Sequence, residues 1–382
     1  MRRKDGTPKL KARRNLPSFE FGFKEHPNNK ATFNNSLGKS YDGRRYSLMS
    51  FFCGCGGMDL GFIGGFRYLK KYYQQQPFHM VGAIDNSKDA VETYNLNLGE
   101  YATLNDLTKL NLQKLPKSDI LLGGFPCQDF SSSGLKSGLE GKRGRLYQVM
   151  VDYMDFHKPA IVIGENVPHL SRLNGGLYLK EILNELEGVG YRFNVWDLYG
   201  PDYGLSQSRR RLFLVGVRDD LDGDPLKPIP THLVKYVPID TALSDLENIE
   251  DESIPNQSQY FIATRATSGG GQGDHTNKVG EVAYCIRANS RGRIQFHYKL
   301  NRRLTVRECA RLQSFPDEFI FPYSTQRNLT LIGNAVPPML AHKVATSVNN
   351  YLNNLTKQNI RIPSNVRKLS SQPTQLELAV GF

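Results

Sequence analysis

The chain has no uninterrupted apolar run of the roughly 20 residues that a membrane-spanning helix needs. Its basic N-terminus, "MRRKDGTPKLKARRN", has no apolar stretch behind it, so it does not read as a secretory signal. Cysteine is scarce: five in 382 residues, irregularly spaced, which argues against a disulfide framework and for free thiols in a reducing, cytoplasmic setting. Cys53 and Cys55 have no second cysteine pair or histidine cluster to complete a zinc site, so no metal is expected. No internal repeat is present. Acidic residues are outnumbered, giving a net charge of +12, but residues 1–50 hold twelve Lys/Arg against four Asp/Glu and supply most of it. That imbalance fits a polyanion partner and fits a solvated tail equally well.

Short apolar runs alternate with amphipathic ones from about Arg45 to Val217. "YSLMSFFCG" reads as a strand, followed by a helical stretch to about Tyr73. "FHMVGAID", "DILLGGF", "PAIVIGENV", "RFNVWDLYG" and "RRLFLVGVR" are further strands, with helices at "KDAVETYNLNL" and around 143–157 and 176–188. This order predicts an α/β fold with an open, largely parallel sheet covered on both faces. Beyond Val217 the pattern dissolves. The acidic "DTALSDLENIEDES" reads as a solvated helix, "VAYCIRANSRGRIQFHYKL" as irregular strands, and "IGNAVPPMLAHKVATSVNNYL" as a loop feeding a long helix. A second, smaller and irregular domain is expected there.

Ligands of such sheets bind beyond the carboxyl ends of the strands, so the residues closing each strand matter most. In "FFCGCGGMDLGF" a strand runs into Gly54, Gly56 and Gly57, which allow close backbone approach to a ligand, and Asp85 closes the next strand where it can accept from ribose hydroxyls. The glycines are not spaced as G-x-G-x-x-G, which disfavours a dinucleotide and hence a dehydrogenase. In "GGFPCQDFSSSG" Cys127 is either a buried thiol or, in this polar loop at a strand end, a nucleophile. Glu165 of "GENVPHL" either caps a helix or, partly desolvated, holds a proton near neutrality. Strand alternation in "QSRRRLFLVG" puts Gln207, Arg209 and Arg211 on one face and Arg210 on the other.

Taken together and in order, these motifs resemble the C5-cytosine DNA methyltransferases. "FxGxGG" stands at 52–57, the strand-two acid at Asp85, "NDL" at 105–107 and "PCQxFSxxG" at 126–134. "ENV" follows at 165–167, "QxRxR" at 207–211, "RRLTVRECARLQSFPD" at 302–317 and "GNAVPP" at 333–338. The match spans about residues 46–350.

The resemblance implies a Rossmann-like S-adenosyl-L-methionine-dependent methyltransferase sheet with a smaller target-recognition domain. The corresponding boundaries are a basic extension at 1–44, catalytic domain at 45–221, recognition domain at 222–300, a return to the catalytic domain at 301–355 and a tail at 356–382. It implies that Cys127 adds to carbon 6 of cytosine, that Glu165 contacts the ring N3 and amine, and that Arg209 holds the base; Gln128 and Arg211 join this catalytic set from the same motifs. Phe52, Gly54, Gly56 and Gly57 would surround the methionine portion of S-adenosyl-L-methionine. Asp85, with Asn86 beside it, would hold the ribose, and Asp106, with Leu107, the adenine. Asn334 and Val336 would complete the pocket. Asn86 departs from the aromatic or large apolar residue common in the family, which puts adenine stacking there in doubt. Ser131, Lys142 and Arg143 of a mobile loop at 131–144, Gln207, and Arg287, Arg291 and Arg293 are the implied DNA contacts. The target base would be flipped out of double-stranded DNA. The expected protein is a cytoplasmic, nucleoid-associated monomer, with a cognate restriction endonuclease acting independently. The rivals are an RNA (tRNA) cytosine-5 methyltransferase and a non-catalytic DNA-binding relative. Phe125-Pro126 in place of a double proline, and the lack of a "CFT" motif, disfavour the first; intact Cys127, Glu165 and Arg209 disfavour the second.

Overall fold

Six consecutive buried residues, Tyr46–Phe51, form β1 at the middle of the sheet, where side chains leave on both faces and neither meets water. The computed structural model describes residues 46–126, 146–248, 275–288 and 294–357. The sheet has seven strands in the order β5-β4-β1-β6-β7-β9-β8. These are β4 (Phe78–Asp85), β5 (Ala102–Leu104), β6 (Ile120–Gly123), β7 (Ile161–Asn166), β8 (Tyr191–Tyr199) and β9 (Arg210–Arg218). The first five in that order run parallel, and β9 is antiparallel to both β7 and β8. Each expected strand is present, with β9 turning the far edge antiparallel.

Two apolar layers cover the sheet. On one face lie α1 (Gly57–Ile63), α2 (Lys88–Leu98), α6 (Val306–Leu312) and α8 (Pro338–Lys357). On the other lie α3 (Gln148–His157) and α4 (Leu177–Glu187). The last helix therefore returns to the first strand: Gly61 of α1 has Ala341 against it, and the Tyr46 hydroxyl lies 3.4 Å from the Thr356 hydroxyl.

Three sequence expectations change. The helix expected to reach Tyr73 stops at Ile63, because Gly64 and Gly65 take φ of +71° and +80°. The chain then folds back as a hairpin, β2 (Phe66–Tyr68) on β3 (Lys71–Tyr73). The described part of the acidic segment, up to residue 248, is not a solvated helix: α5 (Ile239–Leu243) is short and buries Ile239, Ala242 and Leu243 in the main core, so the boundary drawn at 222 is not a boundary of packing. "IGN" of the late motif is the last turn of α7 (Thr325–Asn334), with α8 starting at the second proline. Among the described residues of 222–300 the only strands are two-residue β10 (His275–Thr276) and β11 (Gln295–Phe296), an irregular region as expected.

Candidate active site

β1 ends in a loop whose backbone is bent out of ordinary conformations. Phe52, a non-glycine residue, has φ +54°, and Gly54 and Gly56 have φ +56° and +87°. A Cβ on Gly54 would meet nothing within 4 Å, whereas one on Gly56 would lie 2.4 Å from Leu98 Cδ1 and one on Gly57 2.4 Å from the Val336 carbonyl oxygen. The loop is thus pressed against α2 and the 335–338 segment behind it and is open in front at Gly54. Asp85, at the end of β4, accepts from Gly54 N–H at 2.9 Å and from Ser87 N–H at 2.8 Å, so both its oxygens are oriented by backbone. Burial nonetheless raises its pKa. Asn86 is exposed beside it. Asp106 follows Asn105, whose N–H bonds the Asp85 carbonyl at 3.0 Å, and its own carboxylate accepts from Thr108. That hydrogen bond, aided by Lys109, lowers the Asp106 pKa. Leu107 is buried on the opposite face of the sheet. Val336 is buried behind the glycines, and Asn334 is exposed at the end of α7.

The second half of the site is at the ends of β6 and β7. Glu165 is buried and takes a hydrogen-bonded ion pair from Arg211 Nε at 2.7 Å. Burial outweighs Arg211 and Arg209, so the Glu165 carboxyl lies above the usual range. A Cβ on Gly124 would be 3.6 Å from Glu165 Oε2 and 3.8 Å from the Phe52 carbonyl oxygen. The backbone leading to Cys127 therefore runs between the carboxylate and the glycine loop. It is tied on both sides: Gly124 N–H bonds the Phe51 carbonyl at 3.4 Å, and Asn166 Nδ2 donates to the Phe125 carbonyl at 3.1 Å. The tie through Asn166 was not foreseen; only its place inside "ENV" marked it.

Cys127, Gln128, Ser131, Lys142, Arg143, Arg291 and Arg293 lie outside the described residues. Two expectations that fall on described residues need correction. Arg209 does not point its guanidinium at a base: it is buried and donates to the carbonyls of Ile286 (2.9 Å), Gly333 (2.9 Å) and Ala335 (2.7 Å). Burial lowers its pKa to about 10. Arg211, not Arg209, is the arginine on Glu165. Gln207 is also unavailable to DNA. Its Nε2 donates to the Leu312 carbonyl and Gln313, and its Oε1 accepts from Ile286 N–H. Arg287 is exposed, as a DNA contact requires. Among the described residues no group of three or more His, Cys, Asp or Glu is arranged to hold a metal ion.

A seven-stranded sheet in this order, covered by helices on both faces and with a glycine loop and Asp85 at the carboxyl ends of its strands, is an α/β methyltransferase fold. Solved structures share it. A putative DNA modification methyltransferase from an E. coli prophage matches with a TM-score of 0.61 and 20% identity, over 81% of this chain and 99% of that one. The S. pombe Dnmt2 methyltransferase matches with a TM-score of 0.60 and 19% identity over the same shares. At these identities the likeness speaks to the fold. The family model of the C-5 cytosine-specific DNA methylases matches residues 46–269 and 241–350. The Type II methyltransferase M.NgoFVII of Neisseria gonorrhoeae is 33% identical over 333 residues, covering 79% of this chain and 86% of that protein. M.MthTI of Methanothermobacter thermautotrophicus is 31% identical, covering 79% and 96%. The chain belongs to the C-5 cytosine-specific DNA methylase family and is a DNA cytosine-5 methyltransferase. No helix among the described residues is long and apolar enough to cross a membrane.

Proposed function

We propose that this protein methylates carbon 5 of a flipped-out cytosine in a specific duplex sequence through a covalent adduct with Cys127. The observation that carries the reading is the position of Gly124, three residues before Cys127, in contact range of both the Glu165 carboxylate and the start of the glycine loop. S-adenosyl-L-methionine fits the glycine loop, where Gly54 opens to free space and Asp85 is held rigid for ribose hydroxyls, and when bound it supplies an electrophilic methyl. Carbon 5 of cytosine is a weak nucleophile until the ring is activated. The Cys127 thiolate adds to carbon 6 while Glu165, whose proton affinity burial raises above that of an ordinary carboxylate, delivers a proton to N3, so the ring's electron pair is delivered at carbon 5. Arg211 fixes the Glu165 carboxyl for that transfer. After methylation the carbon 5 proton leaves to a base, carbon 6 releases the thiolate and N3 returns its proton. Phe52, Gly56 and Gly57 shape the cofactor loop, and Val336 backs it.

The Type II names of the relatives extend the proposal to a modification enzyme, a monomer working on chromosomal DNA in the cytoplasm, beside a cognate endonuclease that acts separately. Labelled methyl transfer from S-adenosyl-L-methionine to unmethylated duplex DNA, with tRNA and a Cys127→Ala protein alongside, tests it. Label recovered as 5-methylcytosine in DNA and lost in the variant is expected. Label in tRNA alone, or undiminished in the variant, would sink it.

A further inference from the structure

The hairpin that follows α1 is anchored by one face and presents cations on the other. Phe66, Tyr68 and Tyr73 are buried in the core, and Leu69 packs against it at the turn. Arg67, Lys70, Lys71 and Tyr72 are left outside. Arg67 lies over the Tyr72 ring at 5.5 Å and Lys71 over the Tyr73 ring at 5.3 Å, which orients both charges. The Tyr73 ring in turn meets His342 of α8 edge-on at 5.3 Å, and the next residue of that helix is the half-buried Lys343.

No acid of either element balances these charges. The sequence has no Asp or Glu between Asp59 and Asp85, and none in α8. Elsewhere on the surface cations take acidic neighbours, as Lys88 does Glu92, Lys158 Asp155 and Arg210 Asp197. Among the described residues Arg67, Lys70, Lys71 and Lys343 form no ion pair. The cations bear on one another instead: burial, and then Lys71, lower the pKa of Lys343. Like charges held together oppose folding, and an anion from outside the chain would relieve that cost.

The patch stands at the other end of the sheet from the candidate active site. Gln76 N–H bonds the Ile63 carbonyl and Tyr46 N–H the Pro77 carbonyl, both at 2.8 Å. The hairpin therefore adjoins the amino end of β1, one strand length, about 20 Å, from the glycine loop. Residues 1–44, with eleven Lys/Arg, join β1 at this same end. We propose that Arg67, Lys70 and Lys71, with Lys343 beside them, form a second DNA-binding surface that grips the phosphodiester backbone of a duplex segment other than the one being methylated. This rests on the proposed function only for the place of the first duplex, at the carboxyl ends of the strands. A straight duplex seated there does not also touch the amino ends, so the second segment is a distant stretch of the same DNA or another molecule. Phosphate contacts of this kind need no base reading, and the enzyme's own substrate supplies them in long, locally concentrated stretches.

A sandwich capture on the full chain tests this. The protein is loaded on a bead-bound duplex that it methylates, and a labelled short duplex of unrelated sequence is titrated at several salt concentrations. Wild type should capture the label. The Arg67→Ser/Lys70→Ser/Lys71→Ser protein should capture it about tenfold more weakly, with a logarithmic salt slope smaller by about 2 to 3. Lys70→Arg/Lys71→Arg, which keeps the charge, should behave as wild type, and methyl transfer to the bead-bound duplex should be equal in all three. Unchanged capture by the serine variant would overturn the inference. So would methyl transfer that falls in step with capture, which would put the patch on the substrate duplex. Single-stranded RNA that displaces the label at a lower concentration than duplex DNA does would overturn the choice of partner. A wild type that methylates no duplex would remove the proposed function, while direct binding of the labelled duplex to free wild type and serine variant would still decide this inference.

Discussion

Arg209 and Arg211 are separated by one residue, yet one holds the fold and the other holds the Glu165 carboxylate. Arg209 replaces three backbone hydrogen bonds that the Ile286, Gly333 and Ala335 carbonyls lack, in a place water does not reach. Arg209→Ala should therefore cost about 3 kcal/mol or more in chemical unfolding. Arg211→Gln should leave unfolding nearly unchanged and cut methyl transfer. Its pH profile carries a second expectation. In the proposed mechanism the protonated form of Glu165 is the active one, so activity should be present below its folded pKa and lost as pH rises through it. Arg211 holds that pKa down, and without it the falling limb should move to higher pH. Sequence alternation put Arg209 and Arg211 on one face, and the structure parts them for a physical reason. β9 begins at Arg210, and before it the chain turns, with Ser208 N–H bonded to Ala283 and Arg209 N–H to Gln207. A two-residue period has no meaning outside a strand.

At the scale of elements, the strands were legible because buried parallel strands are continuous apolar runs closed by glycine or a polar residue, as in Ile120–Gly123 and Ile161–Asn166. The hairpin after α1 was not, since "FRYLKKYY" carries a helix-like spacing that the two preceding glycines override. What joins the first and last motifs is a contact between backbones. Gly57 begins α1 with the Val336 carbonyl against it, and a carbonyl in the chain cannot swing aside as a side chain would. Gly57→Ala should push α1 and α8 apart, lowering stability by about 1–3 kcal/mol and weakening cofactor binding. Gel filtration with thermal melts and calorimetry would read the two effects separately.

For the whole molecule, charge and topology act apart. Eleven of the 49 Lys/Arg lie in residues 1–44, ahead of β1 in the chain. Deleting residues 1–44 should weaken binding to non-specific DNA and flatten its dependence on salt, because every phosphate that the extension no longer neutralises takes close to one counterion from the slope. The turnover rate at saturating DNA should stay as it was. A rate that collapsed with the deletion would place the extension in the active site instead.

The contact between Tyr46 and Thr356 means that the start of the central strand and the end of the last helix are neighbours. The order in which the motifs are written along the chain is then only one of several that could build the same body. A short linker from 357 to 46 would close the polypeptide into a ring, which could be opened at another surface loop without parting any two packed elements. Such a circular permutant should fold and transfer methyl groups, with the donor loop and its backing helix made consecutively rather than at opposite ends of synthesis.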